Sequence, residues 1–311
     1  MISAMKGSTG SMTAAAAALL FVSALSGACG TGRAAQWGAG GTATDPAAPG
    51  EAVVAEDADP LIASAQLAWD QRGDRPALEK AIADWEALVA KRPNDWETYA
   101  SLSRAYYLLA EGYLRQGGAS DPQYLAGLEK GVSAGERALA ALSPEFKNKV
   151  IADAKVEDAI KVVGAEGLPA MYWYAVNLGK WSRGKGIAAL LGNKDRVYGV
   201  LSHALSLDET FFYGAPHRYF GAYWALVPVG RDLDKSLQHF EKSLAIAPDY
   251  VGTKVLMAES YAVKKQDRAL FERLLKEAIE TSDDAIRGLS PETRIEKQKA
   301  RELLEKVDDL F

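Results

Sequence analysis

Few residues in this 311-residue chain have the types and spacing that chemistry needs. The three histidines are His203, His217 and His239. No two of them stand four residues apart, the spacing that would put two imidazoles on one helical face for zinc, and no cysteine can assist them. Gly179-Lys180-Trp181-Ser182-Arg183-Gly184-Lys185-Gly186 falls one residue short of a phosphate-binding loop. Gly186 stands where Ser or Thr would hold magnesium, and a helical pattern precedes the stretch instead of a strand. It reads as a helix C-terminus whose basic residues face the dipole. Asn193-Lys194-Asp195 reads as a turn followed by a helix cap. No nucleophile elbow is present. These residues predict no metal, no cofactor and no enzyme.

The single cysteine, Cys29, is the exception. Lys6 supplies a positive n-region, Met12 to Leu25 is apolar, and Leu25-Ser26-Gly27-Ala28-Cys29 follows. This order predicts a lipoprotein signal peptide over residues 1–28, with Cys29 acylated and a membrane attached through that lipid. The apolar run is shorter than the ~20 residues that span a bilayer. Gly30 lacks the aspartate of inner-membrane retention, which favours the outer membrane. Residues 29–59, rich in Gly, Ala, Thr and Pro, read as a flexible tether. No cysteine remains for a disulfide, so packing must hold the fold.

Aromatic rings are the best lead to a ligand. Tyr172, Trp173, Tyr174, Phe211, Phe212, Tyr213, Tyr219, Tyr223 and Trp224 cluster in one region. Most should be core. A few, with polar partners, suit a groove for an amphipathic molecule. The candidates are Trp173, Asn177, Lys180, Tyr213, His217 and Arg218.

The elements that must position these residues are helices. A net charge of −5 implies neither a nucleic-acid partner nor a polybasic membrane surface. From Pro60 the apolar spacing is helical, with no run of strand-like alternation long enough to count. Helices are predicted over 61–71, 76–91, 96–114, 122–142, 169–191, 195–207 and 268–281. In the stretch Phe211–Asp267, His217, Phe220, Gly221 and Trp224 occupy the first-helix positions of a tetratricopeptide repeat, a helical hairpin of about 34 residues. Ser236, Phe240 and Ser243 share one face of the second helix, Pro248 stops it, and Lys254, Met257, Ala258 and Tyr261 restart the pattern. Gly131, Gly135 and Ala138 mark another close helix crossing. Residues 144–168 predict an extra helix outside the repeat, and 290–310 a capping helix. Residues 60–311 thus form one all-α, tetratricopeptide-like solenoid.

GAPHRYFGAYWALVP, DLDKSLQHFEKSLAIAPDYVGTKVLMAESYAVKKQD, AYYLLAEGYL and MYWYAVNLGKW together resemble the T component of TRAP-type transport systems, the TatT family. The resemblance covers most of Pro60 to Thr281; residues 144–168 and the tether have no counterpart in it. It implies a periplasmic lipoprotein that associates with a TRAP substrate-binding protein, forms a trimer, and carries a pore holding a small, partly hydrophobic ligand. It implies no nucleotide site. The alternative from the residues alone is a repeat scaffold lipoprotein for envelope assembly. A groove open to solvent would favour the scaffold, and an enclosed ring-lined channel the transport role.

Overall fold

The computed structural model describes Arg33, residues 35–38 and residues 59–311. The signal peptide, Cys29 and most of the tether lie outside the described residues. Among the described residues every regular element is helical and no strand occurs, as the periodicity predicts.

The helices begin where short acidic caps allow. Asp59 starts α1 (Pro60–Asp70) and Asp74 starts α2 (Arg75–Lys91). Asp95 starts α3 (Trp96–Leu109) and Asp121 starts α4 (Pro122–Leu142). Each carboxylate accepts a backbone N–H of the first turn, satisfying a donor that the helix cannot. Prolines in the first turns of α1, α2 and α4 lose no hydrogen bond. Next come α5 (Pro144–Ile151), α6 (Val156–Ala159), α7 (Leu168–Lys185) and α8 (Ile187–Leu207). They are followed by α9 (Phe211–Leu226), α10 (Leu233–Ile246), α11 (Val251–Met257), α12 (Val263–Lys265), α13 (Arg268–Glu280), α14 (Ser290–Leu304) and α15 (Val307–Leu310).

Neighbours in sequence pack in pairs: α1 with α2, α3 with α4, α7 with α8, α9 with α10. The pairs stack through α2 on α3 and α4 on α7. The predicted crossing glycines sit at these contacts. A Cβ on Gly135 would lie 2.8 Å from the backbone of Tyr174, and one on Gly221 would lie 2.7 Å from the Phe240 ring. Only a residue without a side chain permits that approach.

Three local departures from the sequence reading have physical causes. First, the break after the aromatic helix falls at Gly186, not at Asn193-Lys194-Asp195. Gly186 has φ +102°, a backbone reserved for glycine. Asn193 lies inside α8, buried, and its amide donates to Ser182 Oγ and the Ala189 carbonyl at 3.0 Å each. The basic residues Arg183 and Lys185 do sit in the last turn of α7, as expected. Second, residues 144–168 form two short helices and 3-10 turns rather than one helix. Phe146 anchors this segment in the core at 0% exposure. Third, part of the expected tether is docked. Arg33 donates to both oxygens of the fully buried Glu136 (2.7 and 2.5 Å), and the Gln36 backbone N–H adds a third bond at 2.8 Å. Trp37 packs edge-on against Phe146 and Tyr174 at 5.4 and 5.5 Å.

The C-terminal helix does more than cap. α14 covers α11 and α13, and it also returns to the end of α3. Ile295 packs on the core built from α1–α9, whereas Leu303, Leu304 and Val307 pack on the core built from α10–α14. The row of helices is thereby closed into a ring.

Candidate functional site: the ring cavity

The closing seam is a ladder of charges. Arg104 meets Glu292 at 2.8 Å, Glu111 meets Lys299 at 2.7 Å, and Arg115 meets Glu302 at 2.5 Å. The partners are separated in sequence by 188, 188 and 187 residues. A constant separation means that α14 runs parallel to α3, one rung every turn or two. Arg72 shares Glu292 at 2.9 Å.

Glu111 lies in a π-helical turn, Ala110–Leu114, that continues α3. Its carboxylate is 4% exposed and accepts from Lys299, from Lys180 at 3.0 Å and from the Tyr124 hydroxyl at 2.6 Å. Burial opposes its ionisation, but the two ammoniums outweigh burial and hold the carboxyl well below the ordinary range. Burial likewise opposes the charge on Lys299, yet Glu111 and Glu296 hold its pKa well above the ordinary lysine value. A second π turn, Ala258–Ala262, carries Glu259 in the same place.

The ring borders a partly open cavity of about 560 Å³. Its walls come from α3, α7, α8, α9, α11 and α14, with Tyr107, Tyr172, Trp173, Phe212, Tyr219 and Tyr250 among the apolar surfaces. A volume of this size suits a small organic molecule. A second cavity, about 700 Å³, opens between α1 and the start of α14. Arg104 and Phe212 line both cavities. The Arg104 guanidinium stands 5.0 Å from the Phe212 ring, 5.0 Å from Trp69 and 5.6 Å from Trp173. This septum of stacked cation and rings belongs to the wall that the two cavities share.

Phe212, Tyr213 and Gly214 have φ values of +42°, +61° and +70°. Two large side chains in the left-handed region cost on the order of 1–3 kcal/mol each. The turn thrusts Phe212 into the septum and leaves Pro216 in the first turn of the right-handed part of α9, where proline is tolerated. Arg218 holds the turn, donating to the Tyr213 carbonyl at 3.1 Å and the Phe212 carbonyl at 3.4 Å.

Of the residues singled out in the sequence, Trp173, Lys180 and Arg218 line the ring cavity and Tyr213 lines the outer one. Asn177 is fully buried between α7 and α3, donating to the Trp173 carbonyl at 2.8 Å and the Ser103 carbonyl at 3.0 Å. His217 is buried too, and neither it nor Asn177 lines either cavity. Instead His217 pairs with His239, ring nitrogen to ring nitrogen at 2.8 Å, and with Glu209 at 3.0 Å. Glu209 can only accept, so His217 Nε2 donates to it; the Nδ1–Nδ1 contact needs one donor and one acceptor, so the two rings cannot both be charged while it holds. Burial first, then the neighbouring His217 and Lys242 charges, lower the His239 pKa to about 4. No cluster of three metal-ligating residues occurs among the described residues.

The sequence reading missed Glu111, Lys299 and Glu259. One signal was available: Ala110-Glu111-Gly112-Tyr113 and Ala258-Glu259-Ser260-Tyr261 repeat the same A-E-x-Y pattern, and both adopt π turns. Such turns concentrate at functional sites.

No helix among the described residues is long and apolar enough to cross a membrane. No curated protein matches the chain. The family model for the TRAP transporter T-component (TAtT) matches residues 86–311, which takes in the cavity walls from α3 onward and the closing helix α14. The chain therefore belongs to the TRAP transporter T-component family, a family of transporter accessory components and not of enzymes.

Proposed function

We propose that this protein is a periplasm-facing lipoprotein, held to a membrane through Cys29, that docks a TRAP substrate-binding protein and takes a small, partly hydrophobic ligand into its ring cavity. The outer membrane is the favoured site of attachment, and a homotrimer the favoured assembly. The helices are read as tetratricopeptide-like hairpins. The observation that carries the ligand reading is the lining: α3, α7, α8, α9, α11 and α14 border one aromatic-lined space of about 560 Å³. A scaffold that binds peptides would need a groove open along its concave face. Here α14 packs on α11 and α13 and is tied by ion pairs to α3 and the turn that follows it. The second cavity beyond Arg104 and Phe212 supports a route through the ring.

Affinity capture of the acylated protein from detergent-solubilised envelopes, read by mass spectrometry, tests the docking. Enrichment of a TRAP substrate-binding protein is the expected result. Recovery of envelope-assembly factors without any TRAP component would replace this reading with the scaffold one.

A further inference from the structure

Apart from Arg218, every cation lining the ring cavity that is not solvent-exposed has a carboxylate partner. Lys180 and Lys299 share Glu111, Lys299 also meets Glu296 at 3.0 Å, and Arg104 meets Glu292. Arg218 is different. It is 5% exposed, it lines the cavity, and no carboxylate lies within ion-pair distance of it among the described residues. Its bonds are poor for a buried guanidinium. Only the bond to the Tyr213 carbonyl, 3.1 Å, is of ordinary length. The contacts to Thr253 Oγ1 and the Tyr172 hydroxyl are both 3.5 Å. The Tyr250 ring lies 4.1 Å from its Cζ and gives a cation–π contact, which is weaker than an ion pair. Burying a charge without a counterion is costly, so such groups are paired or await a partner.

We infer that the cavity takes an organic anion, an amphiphile whose carboxylate pairs with Arg218 while its apolar body lies against Trp173, Tyr172, Phe212 and Val255. This deepens the ligand reading above and rests on it. The guanidinium offers a planar, bidentate match to a carboxylate. Tyr172, whose hydroxyl already faces Arg218, is placed as a second donor. The same anion relieves the cost of a cation that also supports the strained Phe212–Gly214 turn, so occupancy and turn geometry are joined through one side chain.

Two pairs of probes separate charge from shape: decanoate against 1-decanol, and 3-phenylpropionate against 3-phenylpropanol. Binding to the full chain, stripped of bound lipid by denaturation and refolding, is followed by tryptophan fluorescence and calorimetry. A charge-assisted bidentate pair predicts that at least one acid binds roughly tenfold or more tighter than its alcohol. Tyr172→Phe should narrow that ratio and Arg218→Met should abolish it. Acid and alcohol binding equally to the wild type would overturn the anion inference while leaving the cavity a ligand site. Binding of none of the four probes would overturn both. The wild-type comparison decides even if Arg218→Met fails to fold.

Discussion

Glu111→Gln is the most informative single change, because Glu111 joins the two ends of the ring. The substitution keeps the shape of the side chain and removes its charge. It strands Lys299, buried, and Lys180, which is 31% exposed at the side chain. Breaking a buried ion pair by removing one partner costs about 3–5 kcal/mol. Lys299 keeps Glu296 and Lys180 can reach water, so the lower end, about 3 kcal/mol, applies. Lys299→Met is milder, roughly 1–2 kcal/mol, because Glu111 retains Lys180 and the Tyr124 hydroxyl. The double variant removes the stranded ammonium along with the carboxylate. It should cost less than the sum of the singles by about 1 kcal/mol or more. Urea titration at neutral pH gives these differences, and hydrogen exchange shows whether α14 amides lose protection first. A Glu111→Gln protein within about 0.5 kcal/mol of wild type would refute the argument that this carboxylate closes the ring.

Three further outcomes follow from particular contacts. Gly135→Ala should destabilise the protein in thermal unfolding despite a gain of about 1 kcal/mol in helix propensity, because its Cβ would meet the Tyr174 backbone at 2.8 Å. The His217–His239 contact holds only while one nitrogen of the pair accepts. The folded His239 pKa of about 4 lies below the ordinary 6.5, so the unfolded chain binds the proton more readily. Stability is therefore complete above pH 6.5 and falls as pH drops from 6.5 towards 4, by about 1 kcal/mol once solvent screening of this half-buried ring is allowed for. His239→Phe should flatten that part of a denaturation-versus-pH curve. A chain shortened to begin at residue 39 loses Arg33 and strands the buried Glu136, which should cost about 3–5 kcal/mol; if its melting matches the full chain, the docked segment contributes nothing to the fold.

The helices and their crossings were legible because each rests on local spacing. Gly131, Gly135 and Gly221 announce close approach wherever they fall on a helix, whereas the one cap read from the sequence, at Asn193-Lys194-Asp195, lies inside α8. Lys180, Trp173 and Arg218 could be named as cavity residues because rings and cations gather near them in sequence. The seam could not be read in the same way. Arg104 and Glu292 are 188 residues apart, and nothing local to either says that they meet. Ile295 looked like one more apolar residue of a cap, but it touches the core of the other half of the chain. His217 fitted a large-residue repeat position, and its partner His239 lies 22 residues on, across a helix pair. Arg33 sits in a stretch whose composition signals a tether, and its docking depends on a buried acid in α4 about a hundred positions later.

The two π turns connect these scales. Each adds one residue to a helical turn, a local irregularity that helices adopt only in short pieces. Both place a glutamate in the cavity wall: Glu111 after α3 and Glu259 after α11. The Lys180 ammonium feels both carboxylates, Glu111 the more strongly. Glu111 is spent on closing the ring, through Lys299 and Lys180. Glu259 makes no ion pair among the described residues and lines the cavity. One local device, repeated after α3 and after α11, thus serves closure at one wall and leaves a free carboxylate at another. The free carboxylate and the unpaired Arg218 give the cavity an acidic and a basic landmark, which would fix the direction in which a charged guest lies.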